Sequence, residues 1–174
     1  MFFHVRDLEV RAKSFDVDLP PGEIEFLDPK LRQVGSLAAQ GKAELAVEAL
    51  GEIRVKGHLK ADIETECDRC LELSRFPLDS DFELYYRPAA DGYGEEERIL
   101  DEEEAEMGFY DSDGLDLKDV LREYVLLALP MQRLCKEDCA GICPVCGQNR
   151  NKLTCQCQSA SVDNRWAALK NLKQ

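Results

Sequence analysis

A dense group of cysteines near the C-terminus constrains this chain more than any other feature of its sequence. Six of the eight cysteines fall between residues 135 and 157, and the other two form a separate CxxC pair. Within the group, Cys143-Pro-Val-Cys146-Gly147 places two thiols ahead of a glycine that permits a tight turn. Two thiolates on such a turn can bind one tetrahedral metal ion. We therefore predict a metal site built from this group: Cys135, Cys139, Cys143, Cys146, Cys155 and Cys157.

The group holds more cysteines than one metal ion needs, because four sulfurs complete a tetrahedral site. Cys143 and Cys146 are the surest pair. In an extended strand, Cys155 and Cys157 would have Cα atoms about 6.6 Å apart, so this pair either turns tightly or contributes one ligand. The remaining ligand would come from Cys135 or Cys139. The sulfurs left over would lie beside the metal, stay unligated or form a second site.

The compartment and the donor set together favour zinc. The chain opens with MFFHVRDLEV, whose charges argue against a signal peptide, and its longest apolar stretch, Tyr124 to Met131, is too short for a bilayer. We therefore expect a cytoplasmic protein, whose clustered thiols bind metal rather than form disulfides. Four sulfurs suit zinc and also a single iron of the rubredoxin kind. Because no sequence feature indicates an electron-transfer partner or a flavin, zinc is the predicted metal.

The earlier pair, Cys67-Asp-Arg-Cys70, lies at the end of a predicted strand and allows three interpretations. It can be two small buried residues, half of a metal site, or a redox dithiol. A redox pair usually needs a helix N-terminus to lower one thiol pKa, and the sequence resumes a strand pattern at Leu71. We rank burial first, the metal half-site second and redox chemistry third.

Charge is distributed unevenly along the 174 residues, whose net charge is −13. Residues 91–129 carry 14 acidic and 3 basic side chains, whereas residues 130–174 carry 3 acidic and 7 basic ones. The part of this acidic segment before residue 115 is predicted to be a solvated loop, with a surface for a basic protein as the alternative. The basic tail is either a solvated face or a phosphate-binding surface. Its candidate RNA contacts include Arg133, Arg150, Lys152 and Arg165.

The hydrophobic pattern predicts an α+β fold. Residues 1–90 have the alternation and turn spacing of an antiparallel β meander or partly closed barrel, with Phe2–Val10 as first strand and a bulge or bend near Gly57. Residues 91–114 form the predicted acidic loop. Residues 115–174 contain one main helix, stopped by Pro130, and a small zinc-binding segment that ends in a helix over Val162–Leu172. We expect one compact domain with an appendage.

Catalytic motifs are missing from the sequence. His4 and His58 are the two histidines, and neither lies near a serine or cysteine in a nucleophile motif. The glycines do not form a phosphate-binding loop. We therefore expect a protein that is not an enzyme.

Two segments in order resemble a known family, the YceD-type large ribosomal RNA subunit accumulation proteins. They are Gly51-Glu-Ile-Arg-Val-Lys-Gly57 with Cys67-Asp-Arg-Cys70-Leu71, and the predicted helix up to Pro130 with Cys135, Cys139-Ala-Gly-Ile-Cys143 and Pro-Val-Cys146-Gly147. The resemblance extends from about residue 37 to residue 172 and departs from the family at Arg150, where a leucine is usual.

The resemblance implies a cytosolic factor of ribosome biogenesis that supports accumulation of large-subunit (23S) ribosomal RNA. The implied partner is that RNA or its precursor particle, reached directly or through a basic ribosomal protein, with no role for a membrane. Family members that keep the first cysteine pair can lack the later group. The resemblance therefore implies that the metal stabilises the structure and is not a functional centre shared by the family. The alternatives are a stand-alone zinc-ribbon RNA-binding module and a small metal or redox protein.

Overall fold

The computed structural model describes residues 1–46, 51–89, 107–110 and 113–157. The chain divides into two compact units that alternate along the sequence. The first unit comprises Met1–Thr65 and Arg75–Met131, and the second comprises Glu66–Ser74 and Gln132–Gln174. The predicted acidic loop, for the most part, and the predicted helix over Val162–Leu172 lie outside the described residues. The domain boundaries inferred from composition therefore stay a prediction.

The described residues form eight strands and two helices. In chain order these are β1 (Phe2–His4), α1 (Val5–Val10), β2 (Lys13–Leu19), β3 (Arg32–Gln33), β4 (Leu37–Leu45), β5 (Ile53–Glu66), β6 (Leu73–Pro88), β7 (Gly108–Tyr110), β8 (Gly114–Asp116) and α2 (Leu117–Ala128). Sheet structure therefore dominates, as the α+β prediction requires. Among these helices, none combines the length and apolar character needed to cross a bilayer.

The main sheet is mixed and open. The described strand pairs within residues 1–90 are antiparallel, as predicted, but the sheet does not close into a barrel and includes a parallel strand from beyond residue 90. Its strand order is β2-β4-β5-β6-β7, with β3 also paired to β5. The pairs β2–β4 and β4–β5 are antiparallel, but β7 runs parallel to β6. A parallel neighbour needs a long crossover connection, and β6 and β7 are separated by 19 residues along the sequence. Strands β1 and β8 form a separate antiparallel pair.

Strand β5 is the centre of the first unit. Its alternating apolar side chains are all buried: Ile53, Val55, Leu59, Ala61 and Ile63. The bulge expected at Gly57 is not present in the β4–β5 pair, whose register is continuous. Gly57 instead faces Gly41 on β4, where a Cβ atom on Gly57 would lie 2.3 Å from the carbonyl oxygen of Gln40. The glycine therefore permits close approach of two strands.

Helix α2 confirms the prediction made from its apolar spacing. The Asp116 side chain caps its N-terminus by accepting a hydrogen bond of 2.9 Å from the backbone N–H of Lys118. Leu117, Val120, Leu121 and Val125 are buried in the core of the first unit. The predicted strand over Phe2–Val10 is shorter than expected, because β1 pairs with β8 over three residues and the chain then enters α1.

Candidate metal centres

Four cysteines from distant parts of the sequence meet in the second unit. Cys67 and Cys70 lie in the turn between β5 and β6, and Cys135 and Cys139 lie beyond α2. Their four sulfur atoms all lie within 4.8 Å of one another. Cys67, Cys70 and Cys139 are buried, while Cys135 is exposed. We call these four residues the first cluster.

Four further cysteines form an equally compact group in the same unit. The sulfurs of Cys143, Cys146, Cys155 and Cys157 also lie within 4.8 Å of one another. Only Cys143 is buried, and Cys146 and Cys157 are exposed. We call these four residues the second cluster. The chain therefore turns at Cys155–Cys157 tightly enough for both sulfurs to join one site.

The spacing of the sulfurs fits a tetrahedral ion. Zinc–sulfur bonds of about 2.3 Å place tetrahedral ligands about 3.8 Å from each other. In the first cluster, the sulfurs of Cys67 and Cys139 are 3.8 Å apart and those of Cys70 and Cys135 are 3.6 Å apart. Each cluster can therefore hold one metal ion with four sulfur ligands.

The two CxxC pairs adopt the same local turn. The backbone N–H of Leu71 donates to the carbonyl oxygen of Cys67 at 2.9 Å, and that of Gly147 donates to Cys143 at 2.8 Å. Both residues after the second cysteine have a left-handed backbone, with φ of 60° at Leu71 and 72° at Gly147. This turn aims successive backbone N–H groups at the first sulfur of each pair. It requires a left-handed residue, which explains why a glycine marks one pair.

Backbone hydrogen bonds lower the pKa of the leading thiol in each pair. Burial raises the pKa of Cys67, but hydrogen bonds from the backbone N–H groups of Cys135, Cys70 and Arg69 outweigh it and bring the pKa to about 6. The backbone N–H groups of Cys146 and Val145 similarly lower the pKa of Cys143 to about 6. At least one thiolate per cluster is thus available near neutral pH to begin metal binding.

At least one other thiol in each cluster holds its proton more firmly. Partial desolvation of the Cys135 sulfur, together with hydrogen bonds with Cys139 and Cys70, raises the pKa of Cys135 to about 12. A hydrogen bond with Cys146 raises the pKa of Cys157 to about 12. These protons must leave when a metal binds, so metal affinity should increase with pH.

Comparison with known proteins places the chain in a family. The profile of the family described as "Large ribosomal RNA subunit accumulation protein YceD" matches residues 55–173, which contain all eight cysteines. The chain belongs to the YceD family. The resemblance seen in the sequence is thereby confirmed.

Three related proteins match this YceD-family chain with 22–32% sequence identity. An uncharacterized protein of Mycobacterium tuberculosis is 32% identical over 130 residues, which cover 72% of the chain and 58% of the relative. The uncharacterized protein YlbN of Bacillus subtilis is 22% identical over 98% of the chain and 93% of its own length. The chloroplastic "Large ribosomal RNA subunit accumulation protein YCED homolog 1" of Arabidopsis thaliana is 32% identical over 60 residues, or 34% of the chain and 19% of the relative. No solved structure matches.

The structure divides the predicted ligands in a way that the spacing did not indicate. The expectation that Cys135 or Cys139 would complete the site of Cys143 and Cys146 is wrong in geometry, because both belong to the first cluster. The pair Cys67–Cys70, ranked first as two buried residues, is buried and also completes that cluster, which favours the metal half-site. Metal binding by these residues stays a prediction.

The candidate RNA contacts of this YceD-family chain have different surroundings. The Lys152 ammonium forms an ion pair with Glu72. The backbone of Arg133 exchanges two hydrogen bonds with Asp68, at 2.7 and 2.9 Å. Arg150 is exposed and lines a pocket of about 270 Å³ beside the second cluster, together with Thr154. Arg165 lies outside the described residues, and RNA binding by any of the four stays a prediction.

Proposed function

We propose that this protein is a non-enzymatic factor in ribosome biogenesis that supports accumulation of large-subunit (23S) ribosomal RNA. The observation that carries the proposal is membership of the YceD family, whose description names accumulation of the large ribosomal RNA subunit. The plant relative is also named as a large ribosomal RNA subunit accumulation protein, and it matches the chain over 60 residues. The curated relatives that match first extend beyond the chain, which aligns with 58% of their length, so the role of the whole protein is part of the proposal.

The two clusters support a structural rather than a catalytic use of zinc. When bound, zinc would crosslink four thiolates in each cluster and contribute folding free energy to the second unit. Four cysteine ligands leave no open coordination position for water or substrate, whereas catalytic zinc sites keep one. Each of Cys67, Cys70, Cys135 and Cys139, and each of Cys143, Cys146, Cys155 and Cys157, would supply one sulfur.

The charge distribution of the chain favours a large-subunit precursor particle, rather than naked RNA, as the binding partner. Residues 91–129 carry 14 acidic and 3 basic side chains, which would repel phosphates at long range. The same segment suits a basic ribosomal protein on a large-subunit precursor in the cytoplasm. Recruitment through such a protein would leave few direct phosphate contacts.

Genetic depletion combined with sedimentation tests the proposed role. Removal of the protein from its native cells should lower 23S relative to 16S ribosomal RNA, and a tagged copy should co-sediment with large-subunit precursors. Complementation by a Cys67→Ser, Cys70→Ser variant should fail, whereas an Arg11→Gln variant, altered at an exposed residue outside both clusters, should succeed. Normal 23S levels after depletion would refute the proposal.

A stand-alone RNA-binding module is the second candidate, and the exposure of Arg150 favours it. A salt titration on a large-subunit RNA fragment separates the two candidates. Because each phosphate contact contributes a slope of about −0.7 to −0.9 in log K against log salt, the particle model predicts weak binding with only about two to four contacts. An Arg150→Gln variant should then lose about one contact. Nanomolar binding with a steep salt dependence would favour the RNA module instead.

A further inference from the structure

Asn151 belongs to the loop of the second cluster but contacts the first. It lies between Cys146 and Cys155, in the segment that the second cluster closes. Its side-chain Nδ2 donates a hydrogen bond to the sulfur of Cys139 at 3.3 Å. Its Oδ1 accepts a hydrogen bond from the backbone N–H of Ala140 at 2.8 Å. The carboxamide is therefore fixed at both ends against the Cys139 segment.

The orientation of this carboxamide depends on the loop around it. The Asn149 side-chain oxygen accepts hydrogen bonds from the backbone N–H and the Nδ2 of Asn151, both at 2.9 Å. The backbone N–H of Leu153 donates to the carbonyl oxygen of Asn149, and that of Cys143 donates to Gln148. The loop thus begins and ends at ligands of the second cluster. Occupancy of that cluster would restrict the positions that Asn151 can reach.

We propose that Asn151 is a positioning residue through which metal in the second cluster strengthens metal binding in the first. The inference rests on the zinc occupancy proposed above and adds a coupling between the two sites. A hydrogen bond to a bound thiolate orients the sulfur and disperses its charge, and loss of such a contact typically lowers metal affinity 10–100-fold. Cys139 is only 4% exposed, so water replaces the amide donor poorly.

The coupling has a thermodynamic counterpart. If metal in the second cluster raises the affinity of the first by some factor, metal in the first must raise the affinity of the second by the same factor. Without metal in the second cluster, the loop that carries Asn151 would sample other conformations. Metal binding in the first cluster would then have to supply the free energy needed to order that loop. We expect a coupling factor of about 10-fold, at the lower end of the range for such contacts.

A double-mutant cycle on the full chain tests the inference. One arm is Asn151→Asp, which keeps the shape and the acceptor for Ala140 but removes the N–H donor. The other arm is Cys146→Ser with Cys157→Ser, which disables the second cluster through its two exposed ligands. Lys152→Gln is the control, because it changes the net charge by the same unit at the next residue, whose ammonium pairs with Glu72 and interacts with Cys70 through its charge rather than through a hydrogen bond.

Zinc binding can be titrated in zinc-buffered solutions and followed by NMR. The backbone amide signal of Leu71 reports on the first cluster, and that of Gly147 reports on the second. Each set of substitutions alone should weaken zinc binding to the first cluster, measured by the Leu71 signal, about 10-fold or more. Combining the two sets should weaken that binding little further. Lys152→Gln should leave that affinity within about twofold. Amide signals of β5 confirm that each variant is folded.

The outcomes distinguish the inference from the zinc proposal. A wild-type chain that binds no zinc at either signal would refute the zinc proposal and the coupling with it. A wild-type chain that binds two zinc ions while Asn151→Asp leaves the first cluster unchanged would refute only the coupling. Additive effects of the two arms would show that Asn151 acts on the first cluster independently of the second.

Discussion

At the scale of single residues, Leu71 is the feature that distinguishes the two cysteine turns. It occupies the position that Gly147 has in the second cluster, with a left-handed φ of 60°. A leucine in this conformation has its Cβ atom close to the following carbonyl oxygen, which costs about 1–2 kcal/mol. The side chain is 56% exposed, so burial recovers little of that cost. The turn is therefore maintained by its hydrogen bonds and by the cluster rather than by local preference.

Leu71→Gly should stabilise the second unit. Relief of about 1–2 kcal/mol of strain, less about 0.5–1 kcal/mol for the flexibility of glycine in the unfolded chain, leaves a gain of roughly 0.5–1 kcal/mol. Leu73→Gly is the matched control, since Leu73 is 60% exposed but lies in strand β6, where glycine weakens the strand. Hydrogen exchange of the metal-loaded protein measures both. A loss of stability in Leu71→Gly would show that the leucine side chain makes a contact worth more than the strain.

At the scale of elements, the outer face of the main sheet is a set of ion pairs between neighbouring strands. Arg54 on β5 pairs with Glu83 on β6 at 2.5 Å, and Lys60 pairs with Asp79 at 3.1 Å. His58 contacts two carboxylates, Asp81 at 2.9 Å and Asp79 at 3.0 Å. Basic residues on β5 are thus matched by acids on β6. Such cross-strand pairs align the strands but leave little net positive charge for phosphates.

His58 should titrate above its ordinary pKa of 6.5, because hydrogen bonds to Asp81, and then to Asp79, favour its charged form. A pKa that is raised in the folded state gives stability that is present below about pH 6.5 and is lost as pH rises through the folded value. The stability difference between wild type and His58→Gln should therefore shrink between pH 6 and pH 9. NMR titration of the imidazole measures the shift directly. Asp81→Asn should reduce it, and an unchanged pKa in that variant would contradict the assignment.

At the scale of the whole molecule, the two units differ in what holds them together. The first unit has an extensive apolar core of strand and helix residues, including Leu37, Leu59 and Leu121. In the second unit, the described buried cluster consists of Cys67, Cys70 and Cys139, with Leu134 packed against it. Side chains that would normally form a core there, such as Val145 and Leu153, are exposed. Apolar burial this small among the described residues of the second unit supports our proposal that metal contributes to its stability.

Removal of metal should therefore unfold the second unit and spare the first. After treatment with a chelator under reducing conditions, amide exchange should accelerate in residues 66–74 and 132–157 and stay slow in β4 and β5. Cys143→Ser with Cys146→Ser should produce the same pattern, most strongly in residues 140–157. Restoration of protection by added zinc is the control. Loss of protection in both units together would show one cooperative structure.

Particular residues show how far sequence reasoning extended. The turn at Cys143–Cys146 and helix α2 were predictable, because Gly147 and the spacing of Val120, Leu121 and Val125 are local signals. The metal half-site at Cys67–Cys70 was ranked only second, because no glycine follows Cys70 and Cys135 is 65 residues away from Cys70. The parallel strand β7 was missed. It is three residues long, too short to show alternation.

The sequence separation of the ligands in the first cluster also determines when that cluster can form during synthesis of the chain. The first cluster cannot close until Cys135 and Cys139 are made, at least 65 residues after Cys70. At roughly 5–20 residues per second, Cys67 and Cys70 wait about 3–13 s for these partners. During that interval they are a vicinal dithiol in a nascent chain, open to oxidation or to a metal carrier. The second cluster, whose ligands span residues 143–157, needs only about 1–3 s of further synthesis at the same rate. If both clusters bind zinc as proposed, maturation of the chain needs a reducing environment earlier than it needs zinc.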